Sequence, residues 1–180
     1  MVPITKYTGR LGNQMFQHAY LYAQMRKGVI PDIYLQDEKY FKEYAHEIRQ
    51  MYGVGRTNLD QVSIHVRRGD YVNNKFYVDL TKTDYYIRAM EQFPDSEFLV
   101  FSDDIEWCKN ERIFEGCEFS EGKSEVEDMT LMSSCKGHII ANSSFSWWAA
   151  YISGNKTVAP KQWHPDGVER TIIPNQWIQI

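Results

Sequence analysis

Short apolar runs alternate with amphipathic segments along this chain, and that alternation constrains its fold more than any other feature. Val62–Val66 and Phe98–Phe101 are rich in β-branched and aromatic residues, and each precedes a segment with helical periodicity. Strands that alternate with helices favour an α/β fold, in which helices cover a parallel sheet. The sequence therefore predicts a complete Rossmann-like unit over residues 59–180.

The first 58 residues predict a smaller βαβα piece. Strands are expected at Ile4–Tyr7 and Asp32–Leu35, and helices from about Asn13 to Gly28 and over Asp37–Met51. Two glycines then interrupt the periodicity in Gly53–Asn58, which predicts a linker. The expected division is thus a reduced N-terminal lobe, 1–58, and a larger domain, 59–180.

Further elements are expected within the larger domain. Helices are predicted over Thr83–Phe93, from Ser102 onward, from Ser124 to Cys135 and over Ser144–Ile152, and strands at His138–Ala141 and Thr157–Ala159. The helix at Ser124 carries the clearest local signal, because Ser124 and Glu127 form a capping-box pattern.

Composition excludes two classes of function. The 20 Lys and Arg residues against 24 Asp and Glu residues give a net charge of −4, whereas nucleic-acid-binding proteins usually present a strongly basic surface. No stretch approaches the roughly 18–20 apolar residues of a membrane span. Three cysteines, an odd number without C-x-x-C spacing, favour a reducing compartment. A cytoplasmic protein that neither binds nucleic acid nor spans a membrane is expected.

A charged cluster follows the strand Val62–Val66. Side chains alternate along a strand, so His65 and Arg67 are expected on one face and Arg68 on the other. A guanidinium group matches two phosphate oxygens, so one arginine is expected to bind a diphosphate while the other pairs with Asp70 or another acid. Two solvated arginines in a turn are the alternative at this point.

A second cluster joins an apolar strand to a helix. Asn142, Ser143 and Ser144 follow Ile139–Ala141 and open the segment that contains two adjacent tryptophans. Free backbone N–H groups at a helix start attract anions, and a serine there can cap the helix and also donate to a phosphate. An ordinary serine N-cap is the simpler explanation of these residues taken alone.

Two other segments carry weaker signals. Asp103 and Asp104 stand in the first turn of a predicted helix, where acids usually do no more than complement the helix dipole. The loop Gly9–Gln14 allows close backbone approach and offers two side-chain amides. The sequence has neither a D-x-D triplet nor a His/Cys cluster with ligand spacing, so no metal site is predicted.

In combination and in order, these segments resemble the α-1,2-fucosyltransferases of glycosyltransferase family 11. The shared motifs are G-x-L-G-N-Q-M-F-Q (Gly9–Gln17), H-x-R-R-G-D-Y (His65–Tyr71), F-S-D-D-x-x-W (Phe101–Trp107), E-D-M-x-L-M-S-x-C (Glu127–Cys135), I-I-A-N-S-S-F-S-W-W (Ile139–Trp148) and A-P-K-x-W (Ala159–Trp163). Motifs in the family's order over nearly the whole chain make the resemblance specific.

The resemblance implies a two-lobed GT-B-like fold and an inverting, metal-independent transfer of L-fucose from GDP-β-L-fucose to a sugar hydroxyl. It implies that Arg67 grips the diphosphate and that Asn13 lies near the transferred sugar. Ser143 and Ser144 would donate to phosphate, and the pair Asp103–Asp104 would line the nucleotide side. Besides the donor substrate GDP-fucose no cofactor is implied, and the other partner is a glycan acceptor, with an α-1,2-linked galactoside as the expectation.

Two roles within the transfer stay open. His65 would either orient Arg67 or contact the phosphates directly. Asp70 is the nearest candidate by sequence for the base that takes the proton of the acceptor hydroxyl, although it could equally pair with Arg68. The leaving phosphate could take that proton instead.

The front part of the chain departs from the family pattern. Members usually place a longer stretch between the G-N-Q helix and the segment that begins at Asp32, so much of the acceptor-side lobe is expected to be missing. A non-catalytic relative that binds GDP or a GDP-sugar is therefore the rival hypothesis. Because a lobe of about 55 residues buries its surface poorly, its aromatic side chains are expected to pack on the larger domain or on a second copy of the chain.

Overall fold

The architecture is a parallel sheet with helices on both faces, in a computed structural model that describes residues 7–27, 36–167 and 173–180. The strands are β1 Leu59–Val66, β2 Phe98–Ser102, β3 Glu118–Phe119, β4 Cys135–Ile139, β5 Lys156–Ala159 and β6 Ile178–Gln179. They lie in the order β3-β2-β1-β4-β5-β6, with every neighbouring pair parallel. The α/β prediction is confirmed, and this order is that of a doubly wound Rossmann sheet.

The helices are α1 Leu11–Lys27, α2 Ala45–Tyr52, α3 Tyr85–Met90, α4 Ile105–Asn110, α5 Glu125–Ser133 and α6 Ser144–Ser153. The predicted capping box at α5 is confirmed: the Glu127 amide donates to Ser124 Oγ at 3.3 Å, and the Ser124 amide donates to Glu127 Oε2 at 2.8 Å. Helix α6 ends at Gly154, whose φ of +72° is readily adopted only without a Cβ.

The single helix predicted over Asp37–Met51 is wrong. Two 3₁₀ turns, Glu38–Tyr40 and Lys42–Tyr44, precede α2, and Phe41 between them has a φ of −141°. That break lets the Phe41 ring enter the core, where it is fully buried and stacks on Trp148 at 5.5 Å between ring centroids. Packing of one aromatic ring thus outweighs the local helical periodicity.

Several predicted boundaries also differ from the structure. The strand predicted at His138–Ala141 is β4, which begins at Cys135 because the chain enters it directly from the end of α5. The strands β3 and β6 have two residues each, too few to leave a periodic signal. Of the strands predicted at Ile4–Tyr7 and Asp32–Leu35, only Tyr7 lies within the described residues, and it is not in a strand.

The sheet carries a hydrophobic core on each face. On one face, Phe16 and Phe41 from the front of the chain pack with the two tryptophans of α6, and the Phe16 ring centroid lies 4.6 Å from that of Trp147. On the other face, α3 covers Val62 and its neighbours. Front-segment aromatics therefore pack on the larger domain at these two positions, as expected, while Tyr7 is 37% exposed. The domain division at residue 58 stays a prediction.

Candidate active site

A cleft of about 420 Å³ lies at the carboxyl ends of β1 and β4. The helices that follow these neighbouring strands lie on opposite faces of the sheet, α3 in one core and α6 in the other. Such a topological switch point is where doubly wound sheets bind ligands. Among the predicted site residues, the cleft brings together Asn13, His65, Arg67, Asp70, Asp103, Ser143 and Ser144. Arg68, Asp104 and Asn142 do not line it.

His65 stands at the base of the cleft and carries no charge near neutral pH. It is 5% exposed, its Nδ1 hydrogen-bonds with Ser146 Oγ at 2.9 Å, and its ring packs near Phe145. Burial, assisted by the charge of Arg67, lowers the pKa of His65 to about 3. The imidazole therefore offers the cleft a hydrogen-bonding group without positive charge.

Arg67 is the cation at the centre of the cleft, and two carboxylates hold it. Its side chain is 12% exposed, with Nη1 at 2.8 Å from Asp103 Oδ2 and Nη2 in contact with Asp70. The expectation that Asp70 could pair with Arg68 is wrong, because the 3₁₀ turn Gly69–Tyr71 brings Asp70 back to Arg67. Asp103 is held more firmly than Asp70, since it also accepts the Arg68 amide at 2.9 Å.

Arg68 points away from the cleft, as strand alternation predicts. Its Nε donates to Asp104 at 3.1 Å, and its guanidinium carbon lies 3.6 Å from the centroid of the Trp107 ring. Asp104 is at the same time the N-cap of α4 and accepts from the Trp107 amide. These residues fasten the end of β1 to the start of α4, which supports Arg67 from behind.

The start of α6 forms the wall opposite Arg67. Ser143 is the N-cap, with its Oγ accepting from the Phe145 amide at 3.4 Å. Asn142 is 2% exposed and lies beneath the cleft, where its amide nitrogen donates to the carbonyls of Val78 and Trp163, both at 3.0 Å. Ser143 and Ser144 thus line the cleft at the start of α6, while Asn142 binds the surrounding loops together.

The front loop meets the start of α6 through Asn13. Asn13 Oδ1 accepts from Ser144 Oγ at 3.0 Å and from Gln36 Nε2 at 2.9 Å. Gly12 makes this approach possible, because a Cβ there would lie 2.6 Å from the Ser144 carbonyl carbon. Two segments separated by 131 positions are therefore joined at the mouth of the cleft.

Several residues that line the cleft were not among the predicted site residues, and Arg10, Lys123 and Tyr71 are three of them. Arg10 and Lys123 add positive charge at the cleft rim, and both are exposed. Arg10 lies within the Gly9–Gln17 motif, so its charge could have been recognised from the sequence. Tyr71 also lines the cleft, and its ring lies 5.5 Å from the Arg67 guanidinium carbon. The position of Lys123, in a loop before α5, left no comparable signal.

Acid is expected to destabilise the fold through two buried histidines. Burial, with a smaller contribution from neighbouring arginines, lowers the pKa of both His65 and His138 to about 3. In the unfolded chain their pKa is about 6.5, so in the intervening range the unfolded state binds more protons and stability rises with pH. The contribution of the neutral histidines is therefore fully present above pH ~6.5, and between pH ~6.5 and ~3 each histidine removes up to about 1.4 kcal/mol of stability per pH unit.

Urea denaturation at a series of pH values measures this slope. The variant His138→Gln is expected to reduce the pH dependence of the free energy of unfolding by the contribution of one histidine. The variant His46→Gln changes an exposed position and should leave that pH dependence unchanged. Equal slopes for the wild type and His138→Gln would contradict the assignment.

The family is decided by a comparison of the sequence. The family model described as Glycosyl transferase family 11 matches residues 30–180. The chain belongs to glycosyl transferase family 11. The motif resemblance is thereby confirmed at the level of the family.

Individual relatives match over most of the chain. An α-1,2-colitosyltransferase of Escherichia coli is 36% identical, with 81% of this chain and 60% of that protein covered. The O-antigen biosynthesis glycosyltransferase WbnK of Escherichia coli is 34% identical, with 68% of this chain and 45% of that protein covered. A galactoside α-(1,2)-fucosyltransferase 1 of Leontopithecus chrysomelas is 28% identical over 87% of this chain and 45% of that protein. The chain thus spans about half the length of these relatives.

Among solved structures, a chain of Thermosulfurimonas dismutans KpsC, a β-Kdo 2,7 transferase, aligns with 92% of this chain and 50% of its own length. The TM-score is 0.47 and the sequence identity is 14%.

Proposed function

We propose that this chain binds a GDP-sugar and transfers its sugar to a hydroxyl group of a glycan, with L-fucose from GDP-β-L-fucose as the donor group. The observation that carries the proposal is Arg67, a cation only 12% exposed that shares one cleft with the start of α6. A guanidinium group beside a helix N-terminus suits a diphosphate, which is the group that departs when a GDP-sugar reacts.

The ion pairs of Arg67 indicate how a diphosphate would enter. Asp70 is 55% exposed and reaches Arg67 from a short turn, whereas Asp103 is also bound to the Arg68 amide. A phosphate oxygen therefore competes most readily with Asp70, since water can solvate the displaced carboxylate. Asp103 would continue to hold Arg67 in position.

The transfer itself would use two groups of this site. As the bond between the anomeric carbon and the phosphate breaks, negative charge grows on the diphosphate, and Arg67 with the N–H groups of α6 would stabilise it. Asp70, once released from Arg67, is a carboxylate near the reacting centre and can accept the proton of the attacking hydroxyl. Attack from the face opposite the diphosphate inverts the anomeric carbon and gives an α linkage.

A second donor is favoured by one of the comparisons. The relative that is 36% identical is named an α-1,2-colitosyltransferase. Colitose is L-fucose without its 3-hydroxyl group, so one diphosphate site could serve both GDP-sugars. The choice between the two donors would depend on contacts to a single hydroxyl group of the sugar. For either donor, the proposed acceptor is a galactoside and the proposed linkage is α-1,2.

Incubating the chain with GDP-L-fucose or GDP-L-colitose and a panel of galactosides tests the proposal. Release of GDP together with a product heavier by one deoxy sugar is the expected result, and the faster donor identifies the sugar. Because protein cations carry the leaving-group charge in this proposal, excess EDTA is expected to leave the rate unchanged. GDP binding without product with every galactoside would favour the rival, a binding protein that does not transfer.

A further inference from the structure

A row of aromatic rings leads away from Arg67 along one side of the cleft. The rings of Tyr71 and Tyr77 are stacked with centroids 3.8 Å apart and planes 4° apart, and the His164 ring follows at 5.4 Å from Tyr77. The row is held in place, because Tyr71 donates to the Asn142 carbonyl at 2.9 Å. It therefore offers a rigid surface next to the reacting centre.

This row connects the cleft to a second hollow of about 350 Å³. Tyr77 lines both cavities, and Phe76, His164 and Asp166 are among the residues around the second one. Phe76 is 76% exposed although it is a large apolar side chain. Single exposed hydrophobic residues are ordinary, but one that stands in a hollow sharing Tyr77 with the cleft indicates a ligand surface.

We propose that Phe76, Tyr77 and His164, which we call the aromatic shelf, bind the terminal sugar of the glycan acceptor; this rests on the function proposed above. The negative face of an aromatic ring attracts the C–H groups that cover one side of a pyranose ring. His164 Nδ1 lies 2.8 Å from the Phe76 carbonyl, which can only accept, so Nδ1 is the donor in this contact and Nε2 is the ring atom left to hydrogen-bond with a sugar hydroxyl.

The opposite end of the cleft is the better place for the guanine base. The lining groups there include Ser102, Asp103, Glu125 and Asp128, with Lys123 beside them. Carboxylates can accept the two neighbouring N–H donors that guanine presents. Three of them line this end of the cleft, whereas Asp166 is the single carboxylate among the described residues around the second hollow. With the diphosphate on Arg67, the base at the β2 end leaves the Tyr77 side of the cleft for the sugars.

Saturation-transfer NMR on the intact chain tests the shelf without requiring turnover. In the presence of GDP, a panel of methyl glycosides that includes methyl β-D-galactoside is added, and saturation of the sugar C–H protons is recorded. We expect at least one glycoside to bind through one face of its ring, with Phe76→Ala and His164→Ala weakening that binding about fivefold or more. Ile87→Ala, which shortens another exposed apolar residue on α3, is the matched control and should bind like the wild type.

The outcomes separate the shelf from the wider proposal. A wild-type chain that does not bind GDP contradicts the proposed function itself. A chain that binds GDP, but whose glycoside signals are absent or unaffected by Phe76→Ala, overturns the shelf alone. If Phe76→Ala weakens GDP binding about fivefold or more and leaves glycoside binding unchanged, the hollow holds the nucleoside and the assignment is reversed.

Discussion

Replacing Arg67 with alanine is expected to weaken GDP binding by about 100-fold or more, which corresponds to about 3 kcal/mol. The Arg67 side chain is 12% exposed, whereas the other cations that line the cleft, Arg10 and Lys123, are exposed at its rim. Neither is placed to replace the two-pronged contact of Arg67 with the diphosphate. Arg67→Lys should recover only a small part of the loss, because an ammonium group is a point charge. Calorimetric titration with GDP measures both variants.

The control for this prediction is a change of the same kind at a site remote from the cleft. Arg88→Ala removes an arginine that is 51% exposed on α3 and should leave GDP binding as it is. Because Arg67→Ala also leaves Asp70 and Asp103 without their cation, thermal unfolding of the variant must show that it is folded. A folded Arg67→Ala chain with wild-type GDP affinity would refute the donor site.

The variant Asp70→Asn is expected to change binding and transfer in opposite directions. GDP affinity should rise severalfold, because the amide no longer competes with phosphate for Arg67. The rate of transfer at saturating substrates should fall by about 100-fold or more, since an amide cannot accept the proton of the attacking hydroxyl. Calorimetry with GDP and initial rates with GDP-L-fucose give the two quantities separately.

Asp60→Asn is the matched control, because Asp60 is exposed at the opposite end of the same strand. It should change neither quantity. Tighter GDP binding in Asp70→Asn with an undiminished rate would leave Asp70 as a counter-ion only, and the leaving phosphate would then take the proton. Weaker GDP binding would instead show that Asp70 positions Arg67 for the donor.

Arg67 and Arg68 show how much of the site can be predicted from sequence patterns. Alternation along a strand separated Arg67 from Arg68, and the structure agrees, because Arg67 lines the cleft and Arg68 stacks on Trp107. The identity of the partner acids could not be predicted in the same way. Asp103 reaches Arg67 from the end of β2, 36 positions away, only because β2 lies beside β1 in the sheet.

Capping, alternation and helical periodicity are local, because they act between residues a few positions apart. For that reason the sequence by itself determined the α/β class, the capping box of α5 and the orientation of Arg67 relative to Arg68 at the end of β1. The tertiary structure alone decided the break at Phe41, the union of Asn13 with Ser144 and the continuity of the Tyr77 ring with two cavities. Each of these depends on a ring or a loop that contacts residues far along the chain. Such contacts follow from strand order and packing, which no single segment of the sequence specifies.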